Sequence, residues 1–255
     1  MPVTDERFDD GATLLVFAHQ DDDLLWMQPF QDSAAALLLA AAPPAPAHAA
    51  VVAQHPESYR ERWCSLFSGT TTDQEWFDVF GLCDRCERDK DWNYERILSA
   101  VDPWVSRSDF SRIVTHNNWG EYGHIHHRWV NQAVRESAVR YGKDVWVLNT
   151  VVLFHADEAV YLDLGDWNLP SFRARFSQDV FFDIRGIYQR TEFDARPAGL
   201  NTWTWFDGED QYPHGERNFV KIVDRGIDQT RSNPLVQKTV SALEQAVPMR
   251  EACIH

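Results

Sequence analysis

The sequence predicts an open α/β sheet, from three observations. Short apolar runs recur in the N-terminal part of the chain, amphipathic stretches of helical spacing stand between them, and polar clusters follow two of the runs directly. A continuous apolar run is what a strand buried on both faces requires, and alternation with helices makes such strands parallel.

The elements follow in order. "ATLLVFA" (12–18) is the first strand, "HAAVVAQ" (48–54) the second, "RIVTHN" (112–117) the third and "VWVLNT" (145–150) the fourth. Helices are predicted over 57–67, 73–82, 92–101 and 126–141. The last carries Trp129, Ala133, Val134 and Ala138 at helical spacing. The Ala/Pro stretch 40–50 reads as a loop. After about residue 151 the pattern becomes irregular. "SFRARFSQDVFFDIRGIYQ" (171–189) is expected to form one more amphipathic helix, and "GLNTWTWFDGEDQYPHG" (199–215) an aromatic loop with turns. With no internal repeat and no clear linker, residues 1–255 are expected to form one domain. Its core spans about 10–150, with a variable region over about 151–255.

Composition narrows the function classes. The 255 residues carry 24 Lys and Arg against 39 Asp and Glu, a formal charge of −15, with a pI near 5.0. That surface argues against nucleic acid or an anionic membrane as partner. The start, "MPVTDERFDDG", is too acidic and polar for a secretory signal. The run "AAALLLAAAPPAPAHAA" is short of the ~20 residues that span a bilayer, and prolines interrupt it. A cytoplasmic protein without membrane insertion is expected; oligomeric state is left open. Cys83 and Cys86 have CxxC spacing, but no second pair of ligands stands nearby for a structural zinc site.

Chemistry concentrates in two clusters. "HQDDD", His19 to Asp23, follows the first strand, and "THNNWGEYGHIHHRW" (115–129) follows the third. Ligands of an α/β sheet gather at the carboxyl ends of its strands, so the two loops can meet. Adjacent carboxylates repel unless solvated or offset by positive charge. A solvated acidic turn is the bland interpretation; a metal site is the sharp one. A catalytic zinc takes three ligands from His, Asp, Glu and Cys. His19 and Asp22 lie three apart, and His127 could close the set from the second loop, with Fe²⁺ and Mn²⁺ as alternatives to Zn²⁺. A further aspartate could then take a proton from water.

At these residues the chain resembles a known family. "AHQDDD" resembles the AHPDDE motif of the PIG-L/LmbE-like zinc N-deacetylases, and "GEYGHIHH" resembles their second motif, a Gly-rich turn leading into GHPDH. The resemblance is concentrated over 14–25 and 114–134. It implies a Rossmann-like, mainly parallel sheet with helices on both faces, and hydrolysis of an N-acetyl group from N-acetylglucosamine-type amino sugars or their conjugates. It also implies that His19, Asp22 and His127 hold zinc and that Asp21 is the general base. His124 would stabilise or protonate the tetrahedral intermediate, and Tyr122 matches a tyrosine assigned to the oxyanion in some members. Gln20, Asp23, Ile125 and His126 depart from the pattern, and His126 is the fallback ligand to His127.

The required parts are present. An amide is a poor electrophile with a poor leaving group, so its hydrolysis calls for a Lewis acid, a base for water and a donor for the oxyanion. Trp119, Trp203 and Trp205 could pack against sugar rings, and equally could fill a core. Arg60 could contact substrate, or simply face solvent. Alternatives are a zinc amidase acting on a larger acyl or thiol conjugate, a non-catalytic sugar-binding protein, and a metal phosphoesterase. The last would need more ligands and a basic surface.

Overall fold

The computed structural model describes residues 12–18, 22, 26, 29, 36–39, 94–155, 158–164, 167–176 and 215–246. In chain order the described elements are β1 (Thr13–Phe17), β2 (Ala36–Leu39), α1 (Tyr94–Val105), β3 (Arg112–Thr115), α2 (Gly120–Gly123), α3 (Ile125–Tyr141) and β4 (Asp144–Leu148). They are followed by β5 (Thr150–His155), β6 (Glu158–Asp163), β7 (Ser171–Phe176), β8 (Gly215–Asp224), β9 (Ile227–Asp228), α4 (Gln229–Ser232) and α5 (Pro234–Ala246).

β1 is buried at every position, as its unbroken apolar sequence requires. It pairs in parallel with β2 on one side and β3 on the other, and β3 pairs in parallel with β4. The register sets Val16 beside Thr115, and the Thr115 hydroxyl donates to the Val16 carbonyl at 2.7 Å. The loops that leave β1 and β3 therefore start at the same level of the sheet edge.

The crossover from β3 to β4 runs through α2 and α3. α3 buries Val130, Ala133, Val134, Ser137 and Ala138, which share one helical stripe, and the helix packs across β1, β3, β4 and β8. It ends where Gly142 takes the left-handed conformation at φ 68, with the Gly142 and Lys143 amides both donating to the Ala138 carbonyl. α1 packs alongside α3.

The other half of the sheet is antiparallel. The order is β2-β1-β3-β4-β8-β7, with β8 antiparallel to β4, β7 and β9, while β5 and β6 form a separate hairpin. The molecule is thus α/β with a mixed sheet, divided between parallel and antiparallel pairings. One expectation is corrected here. Residues 171–176, predicted as the start of a helix, form β7, with Phe172, Ala174 and Phe176 buried and Ser171, Arg173 and Arg175 exposed. The two phenylalanines lie four apart, a spacing that suits either period; the alternation between them decides for the strand. On the buried face the Phe172 and Phe176 rings lie parallel to Phe219 of β8, with centroids 5.3 and 6.3 Å away.

The strands expected from 12–18, 112–117 and 145–150 are β1, β3 and β4, and the helix expected over 126–141 is α3. The helix expected over 92–101 is α1, which continues to Val105. The strand expected over 48–54, the helices expected over 57–67 and 73–82, the Cys83/Cys86 pair and the aromatic loop lie outside the described residues. Among the described residues no helix is long and apolar enough to cross a membrane.

Candidate metal centre

The first loop delivers Asp22 to the carboxyl edge of β1, and the second delivers His116 and His127. All three side chains are buried, with donor atoms within 4.8 Å of one another. One carboxylate oxygen of Asp22 lies 3.3 Å from His116 Nε2, and the other 3.3 Å from His127 Nε2. The two imidazoles stack, with centroids 3.8 Å apart and planes 15° from parallel. Their Nδ1 atoms both meet one oxygen of buried Glu121, at 2.9 Å from His116 and 2.8 Å from His127. The other Glu121 oxygen accepts from the Asn117 amide at 2.9 Å.

The loop that carries these groups is fixed by Asn117. Its side-chain amide donates to the Leu148 and Thr150 carbonyls at 3.2 and 2.8 Å, tying the end of β3 to the chain between β4 and β5. Its side-chain oxygen accepts from the Trp119 and Glu121 amides at 3.0 and 3.1 Å. Asn131 of α3 donates to the His116 carbonyl at 2.7 Å. Gly120 must be glycine on two counts: its φ is +65, and a Cβ there would stand 3.0 Å from the His127 Cβ. Glu121 is also left-handed at φ 55, which costs an L-residue about 1–2 kcal/mol.

His124 plays a different part. Its ring nitrogen Nδ1 accepts from the His126 amide at 3.2 Å, making it the N-cap of α3. A neutral ring with Nδ1 accepting carries its proton on Nε2, so His124 is a donor at that atom. Its ring stacks on His127 at 4.7 Å. His126 is buried, with its ring 4.9 Å from His124 and 6.2 Å from Trp129.

The corner favours positive charge. Burial pulls the His116 imidazole down, while the Glu121 and Asp22 carboxylates push it up by more, to about 9. Yet the Ala18 amide donates to His116 Nε2 at 3.0 Å. A proton on Nε2 would leave no lone pair for that amide, so this contact describes the neutral ring. The donor set fits a divalent metal. Two imidazoles and a carboxylate are the ligand types zinc takes, and an Nδ1 held by a carboxylate is the usual support for a ligating histidine.

Of the residues singled out in the sequence, the structure brings Asp22 and His127 into one buried group, with the half-buried His124 ring stacked on His127. His19, Asp21, Arg60, Trp203 and Trp205 lie outside the described residues, as does the Tyr122 side chain. Trp119 is buried at 3 % exposure, 5.7 Å from the Trp167 ring. His116, Asn117 and Glu121 were not assigned roles from sequence. The position of His116 directly after β3, at the strand end where ligands gather, was the available signal for it.

No known family profile matches the chain, and no curated protein does. Among solved structures, a deacetylase of the A40926 pseudoaglycone, Dbv21, is 17% identical over 84% of this chain and 97% of that one, with a TM-score of 0.40. The zinc-inhibited form of the teicoplanin deacetylase Orf2 is 15% identical over 82% and 98%, also at 0.40. A triple mutant of that teicoplanin-pathway deacetylase is 16% identical over 82% and 98%, at 0.41. Likeness at this level assigns neither fold nor activity to the chain.

Proposed function

We propose that the protein is a zinc-dependent hydrolase that removes an N-acetyl group from an amino-sugar-containing small molecule and releases acetate. The observation that carries this reading is the approach of Asp22 and His127 to 3.3 Å at the sheet edge. They come from the two loops whose sequences resemble the deacetylase motifs.

Asp22 and His127 would hold the metal together with His19, as the resemblance implies. His116, whose Nε2 is engaged by the Ala18 amide at 3.0 Å, would stand behind them as a buttress. A divalent metal in this corner supplies Lewis acidity, which polarises an amide carbonyl and acidifies water; iron or manganese could serve in place of zinc. Asp21 takes the proton of the attacking water and passes it to the leaving amine. His124, with Nδ1 committed to the His126 amide, directs its Nε2 proton towards the oxyanion, and Tyr122 is assigned to the same oxygen by resemblance. Water adds its hydroxyl to the acetyl carbon, the C–N bond breaks, and the amine leaves protonated.

Metal content and acetate release from N-acetylated amino sugars and glycosides test this on five variants. His127→Ala and His19→Ala should lose metal. His124→Ala should keep metal and lose turnover, and His126→Ala should change least. His116→Ala should weaken metal binding without abolishing it. Loss of metal from His116→Ala with retention in His19→Ala would move the third ligand to His116. Loss from His126→Ala alone would show that the motif register is wrong by one residue.

A further inference from the structure

We infer that Glu121 is a positioning residue: it fixes a proton on Nδ1 of both His116 and His127, and so aims both Nε2 atoms at Asp22. One oxygen of Glu121 meets the two Nδ1 atoms at 2.9 and 2.8 Å. A carboxylate oxygen has no proton to give, so each ring must supply one at Nδ1. The other oxygen is held by the Asn117 amide at 2.9 Å, which keeps the carboxylate from turning away.

Three features make this arrangement selective. The rings stack at 3.8 Å, so one oxygen can serve both, and their far nitrogens point the same way, each 3.3 Å from Asp22. Glu121 itself has a φ of 55, where glycine is the favoured residue; its side chain is what that backbone carries at a cost. His124, third in the same stack, takes the opposite tautomer through its Nδ1 contact with the His126 amide. Neighbouring imidazoles are thus sorted by their Nδ1 partners: two hold a proton at Nδ1 and one accepts there.

The consequence for metal affinity rests on the proposed metal site, whereas the proton assignment does not. Both are read by ¹⁵N NMR of the histidine rings and by zinc titration, on the wild type and on Glu121→Gln. Glutamine has a single acceptor oxygen, so it cannot serve both rings and the Asn117 amide together. The wild type should show Nδ1 protonated on His116 and His127, with and without zinc, and Nε2 protonated on His124. Glu121→Gln should lose the Nδ1 proton from at least one of the first two rings and bind zinc about 10–100-fold more weakly. A bare Nδ1 on His116 or His127 in the wild type would overturn the inference, even if the variant does not fold. A folded Glu121→Gln with wild-type tautomers and zinc affinity would overturn it as well. If the wild type binds no zinc while the Nδ1 protons and their loss in Glu121→Gln are seen, the proposed function fails and the positioning role stands.

Discussion

Where β1 and β3 end, on the parallel half of the sheet, the buried side chains are Asp22, His116, Asn117, Glu121 and His127. Where β7 and β8 pair, on the antiparallel half, they are Phe172, Ala174, Phe176 and Phe219. One sheet therefore contains two kinds of interior. In the first, polar groups are tolerated because each is committed to another by a directed contact. In the second, aromatic area removed from water is sufficient and direction matters less. A buried polar group costs stability unless it is satisfied, so a cluster of them at a strand end calls for a purpose that the phenylalanine half does not.

The two halves should respond differently to substitution. The largest effect is expected on turnover, at the residue that precedes Asp22 in the sequence. Asp21→Asn should lower acetate release by roughly 10²–10⁴-fold, the usual worth of acid–base catalysis, while retaining metal. Asp23→Asn should be milder. Wild-type turnover in Asp21→Asn at matched metal content would remove Asp21 from its role.

Next comes the aromatic half, where the effect should fall on stability. Phe219→Ala removes a fully buried ring that lies parallel to two others, and should cost about 3–5 kcal/mol in denaturant unfolding. Zinc affinity of the folded fraction should not change. A parallel loss of affinity would show that the halves are coupled and break the comparison.

Asn117→Ala should act on stability and on affinity together. It strands two carbonyls and two amides that the side chain now serves, and should cost on the order of 2–3 kcal/mol. Because two of those amides belong to the loop carrying Glu121, zinc affinity should fall with stability here, unlike in Phe219→Ala.

The smallest effect belongs to the clamp between the halves. Arg135 of α3 reaches Asp228 at 2.7 Å and Thr230 at 2.5 Å, and Asp228 also caps α4. Burial pushes the Asp228 carboxyl up, but the Arg135 guanidinium and the Thr230 contacts hold it below the usual carboxylate range. A carboxyl lowered on folding adds stability above its ordinary value, and that stability is lost as pH falls through the lower, folded one. Arg135→Met should therefore cost about 1.5 kcal/mol at neutral pH, and the gap to wild type should close in acid. A gap that persists at low pH would mean that packing, not charge, holds the two halves together.

How much of this was legible in the sequence follows from the same contrast. β1, β3, β4 and α3 could be read because each carries a sustained apolar pattern of one period. β2, "ALLL", could not: alanine and leucine favour helices, and its strand state depends on pairing with β1. β7 was misread because Phe172 and Phe176 fit two periods, and its partner β8 lies far along the chain. The meeting of Asp22 with His127 was legible as a motif resemblance. Glu121 was not, because its role depends on a left-handed turn that folds its carboxylate back onto residues five before and six after it.

The corner of Asp22 and His127 is proposed to hold a divalent metal. An equilibrium zinc titration of metal-free wild type beside Asp22→Asn, with circular dichroism on both, tests it most directly. The wild type should bind a single ion tightly, and Asp22→Asn should keep its fold and lose that binding. A wild type that takes up no zinc, or an Asp22→Asn variant that binds it with wild-type affinity, would contradict the claim.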